Sequence, residues 1–278
     1  MAGSWGLLVS SSGDAAALAA DLREEVTLTI RAAQMWHPRS QQQAVGPSEL
    51  GGPCERKLGY KLARHPKVRD DEMSWRATVG VSVHAWLDKT FGKVMLPDGT
   101  PRYLTEVRVM CGHVGGVELW GTCDAYDKAT TAALDWKIAS PASLKRMRGN
   151  IVGPTYRAQR HLYGLGLIGA GHPVSHVGNV ILPSAGELSD MHVDIEPFDI
   201  TVALDVLARA NRITAALDAL PAATVLGGLD TAEEWCARSC PWFRPGSTDV
   251  TSGCPGVLPP RAAPALTLVG ADLTIEGN

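Results

Sequence analysis

The apolar positions of this chain switch between helical spacing and alternation, and each switch marks a change of element. From Asp14 to about Trp36, Ala, Leu, Val and Ile recur at helical spacing, with Asp14 placed as an N-cap and Pro38 just beyond the other end. The polar stretch HPRSQQQAVGPSELGG reads as a loop. At its end, Pro47-Ser48-Glu49-Leu50 opens a short helix that continues, with an interruption, through CERKLGYKLARH. Between Val79 and Val94 another helix is predicted, since Val83, Leu87 and Phe91 share one stripe. Alternation then takes over. Tyr103–Met110, Val114–Trp120 and Ala132–Ile138 predict three strands joined by turns containing Gly or Asp. A helix over Pro154–Ile168, strands over Val174–Leu182 and Met191–Ile195, and a helix from Ile200 to Leu220 that stops at Pro221 complete the pattern.

Helices, a strand meander, a crossover helix and further strands predict an α/β fold with a mixed central sheet flanked by helices. One domain is expected over 47–258, after an N-terminal helix and linker at 1–46 and before a proline-rich tail over 259–278. A length of 278 residues supports a substantial core, and the net charge of −3 gives no global attraction to a polyanion. Any nucleic-acid contact must therefore come from a local patch. No segment is apolar for long enough to span a bilayer, and the N-terminus lacks the basic start of a signal peptide. A cytoplasmic location follows as the expectation. In that reducing compartment, six cysteines suggest metal ligation or burial more than disulfides.

The strand AALDWKIAS places two opposite charges, Asp135 and Lys137, on one face of an apolar run. Taken alone, D-x-K reads as a buried ion pair. Upstream, Asp124 in LWGTCDAYD sits where a strand meets a turn, and a hairpin would bring it close to Asp135. Two carboxylates at short range repel unless one is protonated or a divalent cation lies between them. His84 on the preceding helix and Glu106 on the preceding strand are further candidates, each also readable as an ordinary surface residue. Downstream, Gln159 and Tyr163 fall on one helix face. Between Trp136 and Gly186 there is no Asp or Glu, while Lys137, Lys145, Arg146, Arg148, Arg157 and Arg160 occur, which suggests a basic surface for a nucleic-acid backbone.

Together, His84, Glu106, GTCD ending at Asp124, LDWK with Asp135 and Lys137, and QRHLY with Gln159 and Tyr163 resemble the RecB-type branch of the PD-(D/E)XK nucleases. The resemblance runs from about Pro47 to Cys254 and implies a restriction-endonuclease-like core. It implies that His84, Asp124 and Asp135 bind Mg²⁺ or Mn²⁺, helped by the carbonyl of Trp136. Lys137 would be the catalytic lysine, Asp124, Asp135 and Glu106 the catalytic acids, and Gln159 and Tyr163 would border the DNA path. Asp135 replaces the more frequent glutamate, and Gly121 stands where a proline would precede the first acid.

Cys236, Cys240 and Cys254 cluster late in the chain, two of them followed by proline, and Cys54 stands far upstream. One early and three late cysteines resemble the iron–sulfur members of the same family, the CRISPR-associated RecB-like exonucleases and the AddB nuclease domain. There four thiolates hold a 4Fe-4S cluster that joins the two ends of the chain. Four thiolates also suit structural zinc, which stays open as an alternative. Cys111 and Cys123, in or beside strands, read as buried thiols.

The resemblance implies a metal-dependent DNA exonuclease acting on single strands or duplex ends, in recombination, repair or phage DNA processing. Its partners would be DNA and recombination or CRISPR-adaptation proteins, with no membrane. The competing reading is a non-cleaving module that holds DNA ends or a protein on a nuclease-like fold, its cysteines binding zinc.

Overall fold

The structure is a computed structural model that describes residues 12–36, 44–69, 75–149, 152–232 and 236–257. Pro38, Trp235 and the proline-rich tail over 259–278 lie outside the described residues. Helices α1 (Ser12–Met35), α2 (Pro47–Leu50), α3 (Glu55–Leu62) and α4 (Trp75–Phe91) precede strands β1 (Tyr103–Val114), β2 (Val117–Asp127) and β3 (Ala132–Ala139). Then come α5 (Pro141–Gly149), α6 (Pro154–Gly169), β4 (His176–Pro183), β5 (His192–Pro197), α7 (Ile200–Ala219), α8 (Ala222–Gly228) and α9 (Cys236–Ser239). Among the described residues, no helix is long and apolar enough to cross a membrane.

The sheet runs in the order β1-β2-β3-β4-β5. Only β3 and β4 are parallel; the other neighbours are antiparallel. A parallel pair needs a long crossover, and α5 and α6 supply it. The hairpin between β1 and β2 turns on Gly115 and Gly116, both at positive φ, the geometry a two-residue hairpin loop demands.

Two apolar layers clamp the sheet. On one face α6 and α7 pack through Leu162, Leu167, Ala210 and Ile213 against Val109, Cys123, Tyr126 and Val177. On the other, the predicted α4 stripe of Val83, Leu87 and Phe91 covers Ala125, Trp136 and Val180. The sequence YGLGLIG is a poor helix former, yet it is helical in α6 because the glycines allow close approach. A Cβ at Gly166 would lie 2.8 Å from Val109, and one at Gly164 2.7 Å from Phe198.

The mixed sheet flanked by helices is the expected fold class. Several local expectations differ: α1 starts at Ser12 and so contains Asp14 instead of being capped by it, β1 runs past Met110 to Val114, and β2 begins at Val117 instead of Val114. Strand β2 runs on to Asp127, so Asp124 lies inside a strand instead of at its turn. Helices α5, α8 and α9 have no counterpart in the sequence pattern; PASLKRMRG, for instance, forms α5 around the single buried Leu144.

Candidate active site

Strands β2 and β3 pair through Asp127↔Ala132, Tyr126↔Ala133 and Ala125↔Leu134, and there the ladder ends. Asp124 and Asp135 are the next residue on each strand, so the two carboxylates stand where the strands fork. The Trp136 N–H donates to Asp124 Oδ2 at 2.7 Å, so a carboxylate takes a strand donor at the fork. Across β2, the paired positions skip from Thr105↔Ala125 to Val107↔Cys123, and Glu106 between them adopts φ +49°. A left-handed glutamate costs roughly 1–2 kcal/mol and re-aims the side chain out of the regular alternation.

Helix α4 brings His84 over this fork, with Nδ1 3.2 Å from Asp124 Oδ1. One ligand atom each from His84, Glu106 and Asp124 lies within 4.8 Å of the others. Asp135 is not part of that group. The structure thus adds Glu106 to the His84–Asp124 pair, whereas the resemblance implied Asp135 as their companion. Buried Asp124 beside half-buried His84 and exposed Glu106 leaves the cluster open on one side.

Asp135 is 2% exposed and is held by Lys137 Nζ at 2.6 Å and Asn179 Nδ2 at 2.9 Å, both on Oδ2. Burial pushes its pKa up, Lys137 pulls it back and Asp124 adds to the rise, leaving it at about 6. A cation at the fork would relieve this conflict, because it favours the ionised form of both acids. Lys137 also donates to Gln159 Oε1 at 3.1 Å, and its ammonium sits 4.9 Å from the Tyr156 ring centroid. Gln159 Nε2 in turn donates to the Tyr163 hydroxyl at 2.8 Å. Gln159 and Tyr163 share a helix face as expected, but both are buried, so they brace Lys137 from within.

The expected run of uncompensated cations needs correction. Its counter-charges arrive from later in the chain: Arg157 and Arg160 pair with Glu196, Arg160 also with Asp194, and Arg148 with Asp190. Strand β5 returns antiparallel to β4 and carries Asp194 and Glu196 to α6, while Asp190, just before β5, meets α5; no local reading of residues 136–186 could show this. Arg160 is 1% exposed and so presents no surface to a ligand. Lys145 and Arg146 remain exposed on α5.

The four cysteines of the expected cluster meet in the structure. Cys54, Cys236, Cys240 and Cys254 line one small pocket together with Lys57, Tyr60 and Phe243, and none is in a disulfide. Among the described residues, no three of these sulfurs lie within 4.8 Å of one another. The pocket is backed by Tyr60 stacked on Trp242, with centroids 5.5 Å apart and planes 8° off parallel. Cys111 and Cys123 are buried apart from it; burial pushes the Cys111 thiol up to about 12 and the Cys123 thiol well above its ordinary value.

Asn179 is the residue that the sequence did not flag. Its one signal is an amide inside the apolar run HVGNVILP.

No family model and no curated protein matches the chain. Solved structures with a similar arrangement include the alkaline exonuclease LHK-Exo from Laribacter hongkongensis, 9% identical, with 68% of this chain and 91% of that one covered at a TM-score of 0.44. The protein SSO0001 is 14% identical over 79% of this chain and 93% of its own, at 0.43. A phage related exonuclease from Haemophilus somnus 129PT is 11% identical over 59% and 81%, at 0.39. Likeness at this level carries no functional argument, so the chemistry has to be read from the fork itself.

Proposed function

We propose that the protein is a divalent-metal-dependent deoxyribonuclease acting on single-stranded DNA or duplex ends. The observation that carries this reading is the fork: His84, Glu106 and Asp124 gathered within 4.8 Å, beside the buried Asp135–Lys137 pair. His84, Glu106 and Asp124 would hold Mg²⁺ or Mn²⁺, with Asp135 and the Trp136 carbonyl at the same fork. When bound, the ion would polarise a phosphoryl oxygen and make water a nucleophile near neutral pH. Lys137 has three N–H donors; Asp135 and Gln159 take two and fix the ammonium. The third is then available to a phosphate oxygen as charge develops there. Exposed Lys145 and Arg146 would meet the DNA backbone.

The cysteine pocket would hold a 4Fe-4S cluster. Four thiols outside any disulfide around one pocket are the ligand set this reading needs, and structural zinc, which accepts the same set, is the alternative. Assignment to the iron–sulfur RecB-type branch, and to recombination, repair or phage DNA processing, rests on the motifs in the sequence.

The test is digestion of end-labelled single- and double-stranded DNA with Mg²⁺ or Mn²⁺, against closed circular DNA and an Asp135→Ala variant. Linear DNA should be degraded by the wild type alone, with circles resistant. Equal degradation by both proteins, or none by either, would overturn the site. Brown protein with bound iron supports the cluster, while colourless protein carrying zinc overturns it.

A further inference from the structure

A row of polar partners crosses the sheet from the fork to its edge. Asp135 pairs in register with Asn179 on β4, and Asn179 with Asp194 on β5. The rows beside it are Leu134–Gly178–Ile195 and Trp136–Val180–Val193, so this polarity is confined to one line. Asn179 is fully buried, and both ends of its amide are used. Nδ2 donates to Asp135 Oδ2 at 2.9 Å, and Oδ1 accepts from Arg160 Nη1 at 3.1 Å. A flipped amide would set its N–H groups against the guanidinium, so Arg160 dictates which end faces Asp135.

Arg160 is itself held on several sides. It donates to Asp194 Oδ2 at 2.7 Å and to Glu196 Oε1 at 2.5 Å, and Glu196 also accepts from His161 Nε2 at 2.9 Å. The Asp199 N–H donates to His161 Nδ1, which fixes that ring as the Nε2–H form. Strand β5 turns these acids toward α6 and leaves Val193 and Ile195 about half exposed. Burying apolar area would favour the opposite register, and an apolar row here would be as stable or more so. Burial energy alone does not select this arrangement.

We propose that Asn179, locked by Arg160, is a positioning residue for Asp135. Asn179 and Lys137 both hold Oδ2, and on the proposed reading Oδ1 would be the atom that Asp135, which stands beside the His84–Glu106–Asp124 group, offers to the cation. Arg160 is then an internal anchor for the site instead of a contact to DNA. This rests on the reading of the fork as a divalent-metal site.

The experiment titrates Mn²⁺ into the purified protein, following free ion by electron paramagnetic resonance, alongside DNA digestion and thermal melting. Asn179→Val should weaken Mn²⁺ binding about tenfold or more, the usual scale for losing a partner of a metal ligand. It should lower kcat with little change in KM for DNA, since it removes no DNA contact. If Asn179→Val does not fold, Asn179→Asp decides; it keeps size and the acceptor for Arg160 but removes the donor, and the same loss is expected. Wild-type Mn²⁺ affinity and kcat in a folded Asn179 variant overturn the proposal. Asp135→Asn separates the two readings. If it abolishes binding and cleavage while the Asn179 variants behave as wild type, only the positioning role falls. If it changes neither, the metal-site reading falls and this inference with it.

Discussion

At the fork, His84, Glu106 and Asp124 stand on α4, β1 and β2, whose backbones are fixed by ladder hydrogen bonds and by packing across the sheet. In the cysteine pocket, Cys54 precedes α3, while Cys236, Cys240 and Cys254 come from a late segment whose only helix, among the described residues, is the four-residue α9. The first cluster is positioned by the strand ladders and by α4 packed on the sheet. The second joins distant parts of the chain through the buried cluster of Tyr60, Leu226, Cys240, Trp242 and Cys254, the Tyr60–Trp242 stack, and hydrogen bonds such as Arg56 Nε to the Leu226 carbonyl at 2.7 Å and Trp242 Nε1 to the His65 carbonyl at 3.0 Å. On the proposed reading, a group that cross-links these distant segments in the pocket would add folding energy, whereas an ion at the fork would mainly supply chemistry.

The largest effect that sharpens this contrast is on activity at the fork. Asp124→Asn should lower DNA degradation at least a thousandfold or so, the scale of removing a central catalytic group. Its melting midpoint should barely move, because the amide oxygen still accepts from the Trp136 N–H. A large drop in midpoint, measured by circular dichroism, would show the fork to be structural.

The pocket should respond the other way. On the cluster reading, Cys54→Ala should lose bound iron and cost on the order of 3 kcal/mol, or roughly 10 °C in melting midpoint for a chain of this size. Chelating Mg²⁺ from the wild type should cost only the mass-action stabilisation of a weakly held ion. Equal midpoint losses in the two experiments would erase the distinction between the sites.

A smaller effect tests the polar row. Burial pushes Glu196 upward, but hydrogen bonds from His161, Arg160 and Arg157 outweigh it and hold its pKa down at about 2, against an ordinary 4.5. A depressed carboxylate stabilises the fold above its unfolded value and loses that contribution as pH falls toward its folded one. Wild-type stability should thus fall between pH 4.5 and about 2 partly through this group. Glu196→Gln should lose about 2 kcal/mol at neutral pH, a reduced form of the cost of unpairing a buried charge. Urea unfolding across that range checks it: a variant with the wild-type pH slope would remove Glu196 from the account.

Smallest is Tyr163→Phe, which removes the acceptor for Gln159 Nε2 and should cost about 1 kcal/mol. KM for DNA should not change, since the ring is buried. A raised KM would place Tyr163 in the DNA path.

Much of the architecture was legible because its period is local. The α4 stripe of Val83, Leu87 and Phe91 and the apolar core of β3 announce themselves within a few residues. The end of β2 did not, because D-A-Y-D has the composition of a turn and is a strand only through its pairing with β1 and β3. Helix α5 hides in a polar stretch that buries one leucine. Asp124, Asp135, Lys137 and His84 were visible as residue types in a recognisable order, but their distances were not. Glu106 joins His84 and Asp124 through a backbone conformation that a sequence does not display.

The sequence by itself determined the order of the sheet strands and of the longer helices, the D-x-K strand, and the four cysteines as a set. Hydrophobic period and residue chemistry act over neighbouring positions and are written there. Only the tertiary structure decided that the strands part at Asp124 and Asp135, that Arg160 faces inward, and that Asn179 stands between them. Those facts depend on register between strands distant in the chain, where β5 brings its acids to α6 and closes charges that looked unpaired.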